Sequence, residues 1–76
     1  MKCTIIANKK VLYIPAEMSP LFVQGRYYGV IVQGKIIALR CIRTAGRKVL
    51  LVPSQFYELF QIGNDYVVAP YNLEKL

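Results

Sequence analysis

Short runs of valine and isoleucine, each ended by a turn, recur along the sequence and predict a sheet of short strands. Branched side chains of this kind pack well on a pleated strand surface. Gly34 in the pair Gln33-Gly34 supplies the positive φ that a two-residue hairpin turn needs. We expect six strands, at Lys2–Ala7, Val11–Ile14, Tyr27–Val32, Lys35–Arg43, Lys48–Val52 and Tyr66–Tyr71.

One segment near the C-terminal end has a helical period. Phe56, Leu59 and Phe60 are spaced so that they share one helix face. Ser54 is a suitable N-cap and Gly63 a suitable stop, so one or two helical turns are predicted near residues 54–62. We expect turns or loops at Asn8–Lys10, Pro15–Pro20 and Thr44–Arg47, and a loose tail at Asn72–Leu76.

The segment Val52-Pro53-Ser54-Gln55-Phe56 resembles the one that closes Src-homology-3 domains, a Pro-Ser-polar-aromatic turn before a last strand. The resemblance and the strand order imply a mainly β domain: a small antiparallel barrel or strongly curved sheet with one short helix. Because one strand follows the helix, we rank a Src-homology-3-like barrel ahead of an oligonucleotide-binding-like one. The family's opening aromatic motif and paired tryptophans are missing, so its proline-peptide site is not carried over. Residues 1–76 suffice for one domain.

The strands Lys35–Arg43 and Lys48–Val52 are apolar on both faces, whereas a half-exposed antiparallel sheet alternates apolar and polar residues. Ile37, Leu39 and Cys41 share one face of the first of these strands. A single short helix covers only part of one sheet, and we expect a monomer to expose Ile36, Ile42, Leu50 or Val52. A homodimer would cover them. The alternative is a closed monomeric barrel whose outer face is covered by the Pro15–Pro20 loop and the tail.

Catalytic and metal-binding chemistry have little support. The chain has no histidine to act as a general base, and its four acids form no evident pair. We therefore predict a protein that is not an enzyme and uses neither a cofactor nor a metal. Cys3 and Cys41 fit no metal motif, and we expect buried, reduced thiols that bridge only if the first strand pairs beside the fourth. Neither a secretion signal nor a membrane span is evident, which predicts a cytoplasmic protein.

The net charge of +6 is unevenly distributed. Residues 1–48 hold nine of the ten basic residues and one acid, Glu17. A basic half of this kind attracts phosphates, an anionic surface or an acidic protein patch. The alternative is that the lysines only keep an apolar protein in solution.

The strand segment Arg26-Tyr27-Tyr28-Gly29-Val30-Ile31 joins a basic residue to two aromatic rings, the combination that single-strand binders use for phosphates and bases. It is similar to the ribonucleoprotein motif of RNA-recognition domains. Arg26, Tyr28, Gly29 and Ile31 match that motif, whereas Tyr27 and Val30 depart from it. The alternative is that the two tyrosines straddle the sheet, one in the core and one at the rim.

A second basic group surrounds the fourth predicted strand and its turn, where Arg43, Arg47 and Lys48 could reach phosphates together. The alternative is a solvated turn. Two functions follow: a nucleic-acid-binding module, favoured by the charge asymmetry, and a small regulator or inhibitor that docks on an acidic surface of a larger protein, favoured by the apolar excess. The predicted nucleic-acid-binding residues are Arg26, Tyr27, Tyr28, Lys35, Arg43, Arg47 and Lys48.

Overall fold

The computed structural model describes residues 1–72, with side chains for residues 1–69. Of the predicted tail Asn72–Leu76, residues 73–76 lie outside the described residues. Six strands and two 3-10 helices follow one another along the chain: β1 (Cys3–Ile6), β2 (Lys9–Tyr13), η1 (Ala16–Leu21), β3 (Tyr27–Val32), β4 (Lys35–Thr44), β5 (Arg47–Leu51), η2 (Ser54–Leu59) and β6 (Val67–Asn72).

All six strands belong to one antiparallel sheet with the order β1-β2-β5-β4-β3-β6. The hairpins β1–β2, β3–β4 and β4–β5 each turn through two residues, Ala7-Asn8, Gln33-Gly34 and Ala45-Gly46, and all six residues have positive φ. Turns of this type match the right-handed twist of the flanking strands. The turns at Asn8–Lys10 and Thr44–Arg47 were therefore predicted too long, since β2 and β5 begin directly after two-residue turns.

The two edges of the sheet approach each other at one end. Cys3 N–H donates to the Asn64 carbonyl at 2.9 Å, and Gly63 N–H donates to the Cys3 carbonyl at 2.9 Å. The ladder does not continue from there along β1 and β6, so the sheet stays open. The predicted class, a small mainly β antiparallel domain with a short helix near residues 54–62, is confirmed in its curved-sheet form.

Each 3-10 helix begins after a proline in extended conformation, Pro15 before η1 and Pro53 before η2. The helix predicted near residues 54–62 is η2, and its Phe56 and Leu59 pack against the core. The Pro15–Pro20 segment was predicted as a loop, and most of it is η1. A 3-10 helix of this length tolerates a proline that interrupts a longer α-helix.

The core lies on one face of the sheet. Cys3, Leu12, Leu50 and Cys41 face one another across β1, β2, β5 and β4, and all four are fully buried. Leu50 and its neighbour Val52 were predicted among the side chains that a monomer could expose, and for these two the prediction is wrong, because both belong to this core. Ile37, Leu39 and Cys41, which were predicted to share one face of β4, all belong to this core.

Two strands separate β1 from β4 in the sheet. The condition for a bridge between Cys3 and Cys41, adjacent strands, is therefore not met, and both thiols are free and buried. In the described part of the chain, residues 1–72, no helix is long and apolar enough to cross a membrane.

Candidate nucleic-acid interface

The two-residue turn between β4 and β5 brings basic side chains together. In this hairpin Arg43 lies opposite Lys48, and Thr44 lies opposite Arg47. A cavity of about 390 Å³ opens between the turn and η1. We call it the basic cavity; its polar and aromatic lining residues are Tyr13, Ser19, Arg43, Arg47 and Lys48. The three cations give this end of the sheet a strong attraction for anions.

The Lys48 ammonium is held in place by the end of η1. Its Nζ donates to the Phe22 carbonyl at 2.8 Å and to the Ser19 carbonyl at 3.2 Å. The Ser19 carbonyl also accepts the Phe22 N–H at 3.1 Å, and the Phe22 carbonyl lies at the C-cap of η1, so Lys48 caps the end of η1 while its charge lines the cavity. The capping role was not foreseen, because Ser19 and Phe22 are 29 and 26 residues away along the chain.

The same capping arrangement occurs at η2. Lys10 Nζ donates to the Tyr57 carbonyl at 2.9 Å and to the Phe60 carbonyl at 2.6 Å. Its ammonium also lies 5.1 Å from the centroid of the Tyr57 ring. A lysine from the sheet therefore caps each 3-10 helix, but only the one at η1 also lines a basic cavity.

Arg47 and Tyr13 form the wall of the basic cavity on its outer side. The guanidinium carbon of Arg47 lies 5.4 Å from the centroid of the Tyr13 ring, a cation–π distance. Arg47 is exposed, and Tyr13 is half-buried. Arg43 is also exposed, and its Nη1 makes one long hydrogen bond, 3.4 Å, to the Gly46 carbonyl. Both guanidinium groups keep donors available for a ligand.

A second cavity, of about 350 Å³, lies beside the first on the face of the sheet that points away from the core. We call it the outer cavity; it is lined by Lys2, Thr4, Ile6, Tyr13 and Arg47. Because Tyr13 and Arg47 line both cavities, the two form one continuous surface. The residues that line either cavity, all within the described chain, include no carboxylate.

Tyr28, predicted to contact nucleic acid, lies in the core and is 2% exposed. Its hydroxyl accepts a hydrogen bond from the Val23 N–H at 2.7 Å, and its ring centroid lies 4.6 Å from that of Phe22. Its burial conflicts with a stacking role. Tyr27 is 40% exposed on the opposite face, so the two tyrosines straddle the sheet.

The remaining predicted residues lie at different distances from the basic cavity. Arg26 is exposed and lies beside Cys41, whose N–H donates to the Arg26 carbonyl at 2.8 Å. It is therefore one strand away from Arg43 and at the same end of the sheet. Lys35 starts β4 and lies eight positions before Arg43, about 27 Å along the strand. The structure brings Arg43, Arg47 and Lys48 together and leaves Lys35 at the far end.

The two thiols have no sign of nucleophilic activation. Burial raises the pKa of both Cys3 and Cys41, and the nearby cations Lys10 for Cys3, and Lys48 and Arg43 for Cys41, lower it only in part. Within the described residues no cluster of three or more His, Cys, Asp or Glu could hold a metal ion.

A row of exposed aliphatic side chains crosses the outer face at the other end of the sheet. Ile31 on β3 lies directly opposite Ile36 on β4 and Val67 on β6. The three are 51%, 68% and 67% exposed. We call them the aliphatic row.

A comparison with known protein families, with curated proteins and with solved structures finds no match for this chain. Its function is therefore inferred from the side chains themselves.

Proposed function

We propose that this chain is a non-catalytic nucleic-acid-binding domain whose ligand lies against the basic cavity. The observation that supports this most is the convergence of Arg43, Arg47 and Lys48 around one cavity that has an aromatic wall, Tyr13. Two free, buried cysteines fit a reducing compartment, and we place the protein in the cytoplasm.

The three cations have different tasks in this proposal. Arg43 and Arg47 are exposed, and their planar guanidinium groups suit the two-oxygen geometry of a phosphate. Lys48 gives two of its three N–H donors to η1 and acts as a fixed positive charge. Such contacts go to the backbone of the nucleic acid, so binding is largely independent of sequence.

Salt dependence tests the proposal directly. Log affinity for a single-stranded oligonucleotide should fall linearly with log salt, because bound cations release condensed counterions. Replacing Arg43→Gln together with Arg47→Gln should make this slope shallower by about 1.4, since each phosphate contact to a single strand contributes about 0.7. Both side chains are exposed, so the fold should persist. Lys48 is left unchanged because it caps η1.

The matched control replaces Lys9→Gln and Lys35→Gln. Both lysines are exposed, neither lines the basic cavity or the outer cavity, and the change in net charge is the same. This control should keep most of the wild-type slope. Undetectable binding of the wild type at low salt, or an equal loss of slope in the control, would overturn the proposal.

A second function, protein binding, is favoured by the aliphatic row. Water contact with three adjacent aliphatic side chains is unfavourable, and a second copy of the chain or the apolar part of an acidic protein surface would remove it. For a homodimer, sedimentation equilibrium at micromolar concentration should give a mass above 8.7 kDa, and Ile31→Ser with Ile36→Ser should lower it. A single 8.7 kDa species throughout would exclude the homodimer.

A further inference from the structure

We infer that the outer cavity is a nucleobase site, so that the domain prefers single strands over duplexes. The inference rests on the proposed function and adds to it the class of ligand. Phosphate contacts alone would bind a duplex as well as a single strand. A site for an unpaired base would make the difference, because bases in a duplex are stacked and their faces are not available.

The two cavities are placed as one nucleotide requires. A base and its phosphate are linked through a sugar, so their sites must be adjacent. The basic cavity and the outer cavity share two lining residues, Tyr13 and Arg47. A phosphate held by Arg43 and Arg47 therefore leaves the attached base at the entrance of the outer cavity.

The outer cavity has the chemistry of a base site. Tyr13 supplies an aromatic wall, and the Arg47 guanidinium over its ring adds a second flat surface for stacking. Ile6 contributes an apolar side, while the Thr4 hydroxyl and the Lys2 ammonium supply hydrogen-bonding groups for a base edge. No acidic residue is among those that line it.

The backbone of Tyr13 is also held in the sheet before any ligand binds. Its N–H donates to the Lys2 carbonyl at 2.9 Å, and it lies opposite Val49, which is fully buried. Because this backbone is already ordered, no ordering of the main chain is needed when a base stacks on the ring. Tyr13 is half-buried and therefore supplies a partly exposed aromatic ring, which the buried Tyr28 does not.

The test compares three probes of equal length by fluorescence anisotropy at one low salt concentration: a deoxythymidine 12-mer, an abasic 12-mer with the same phosphates, and a 12-base-pair duplex. The wild type should bind the deoxythymidine strand about tenfold more tightly than the abasic strand, because stacked bases add affinity that phosphates do not. The duplex, whose bases are not available for stacking, should bind more weakly than the deoxythymidine strand.

Variants then assign the preference to the outer cavity. Tyr13→Leu should reduce the tenfold preference towards one and leave the salt slope unchanged, since stacking is not ionic. Tyr13→Phe keeps the ring and should keep the preference. The matched control is Tyr57→Leu, which removes another tyrosine that has a cation over its ring but lies outside both cavities.

The outcomes separate the two proposals. If the wild type binds the deoxythymidine and abasic strands with equal affinity, and log affinity still falls linearly with log salt, the nucleobase site is overturned. Phosphate binding is then left intact. An equal loss of preference in Tyr57→Leu would also overturn the nucleobase site. The wild-type comparison needs no variant, so it stands even if Tyr13→Leu fails to fold. Absence of binding to every probe would overturn the proposed function as well.

Discussion

At the scale of single residues, the two cysteines show how burial controls reactivity. Both thiols lie on the core face of the sheet and are fully buried. Desolvation disfavours the thiolate and raises the pKa of each thiol. The thiolate is the reactive form, so little of it is present in the folded protein at neutral pH.

The thiols should therefore react slowly with a thiol reagent at pH 8 in the native protein and rapidly in denaturant. Stability should also fall in alkali. Folding raises the pKa of each thiol above its ordinary value, so the contribution of the thiol to stability is complete below that ordinary value and is lost as pH rises through the folded pKa. Denaturant titrations at pH 7 and pH 10 give the free energy of unfolding at each pH. The decrease in this free energy from pH 7 to pH 10 should be smaller for the double variant Cys3→Ala with Cys41→Ala than for the wild type. Rapid native labelling of both thiols would contradict their placement.

The sequence identifies which side chains are charged or aromatic, but it does not show which of them are exposed. Both Tyr27 and Tyr28 were predicted to contact nucleic acid, and the alternative, that they straddle the sheet, is the arrangement that the structure has. Which of them is buried depends on Phe22, whose ring packs on Tyr28 after the chain has passed through η1. Similarly, the charge of Lys48 is evident from the sequence, but its hydrogen bonds to distant carbonyls are set by the tertiary fold.

At the scale of elements, the β4–β5 turn determines the shape of the basic cavity. Ala45 has φ of 49° and Gly46 has φ of 76°. A left-handed conformation costs a non-glycine residue roughly 1–2 kcal/mol. Asparagine adopts this conformation more readily than alanine does. The turn therefore carries strain at Ala45 that a substitution can remove.

Ala45→Asn should raise the free energy of unfolding by about 0.5–1 kcal/mol. Gly46→Ala should lower it by about 1–2 kcal/mol, through backbone strain alone, because an added Cβ would have no atom within 4 Å. Chemical denaturation of the two variants beside the wild type measures both changes. Equal effects of the same sign would contradict the left-handed conformation of this turn.

The strands were predictable to within about two residues because runs of valine and isoleucine contrast with turn residues in this chain. Turn lengths were less predictable. Neither Ala45 nor Ala7 is a usual residue at positive φ, so the sequence favoured longer turns. The helix η1 was missed because its prolines and Ser19 are typical of loops.

At the scale of the whole molecule, the two proposed interaction surfaces lie at opposite ends of the sheet. The basic cavity surrounds the end of β4 at Arg43, and the aliphatic row crosses its start at Ile36. The molecule measures 29 × 27 × 20 Å, so a small ligand at one end need not contact the other. Apolar patterning predicted two apolar faces, but it did not predict that Leu50 and Val52 would belong to the core.

The most direct test of the account is a backbone-amide NMR titration of the protein with a single-stranded oligonucleotide. We expect the largest chemical-shift changes at Tyr13, Arg43, Gly46 and Arg47, around the basic cavity, and small changes at Lys35 and Ile36. Changes centred on the aliphatic row, or no change at low salt, would contradict the proposal that this chain binds nucleic acid at the β4–β5 end of its sheet.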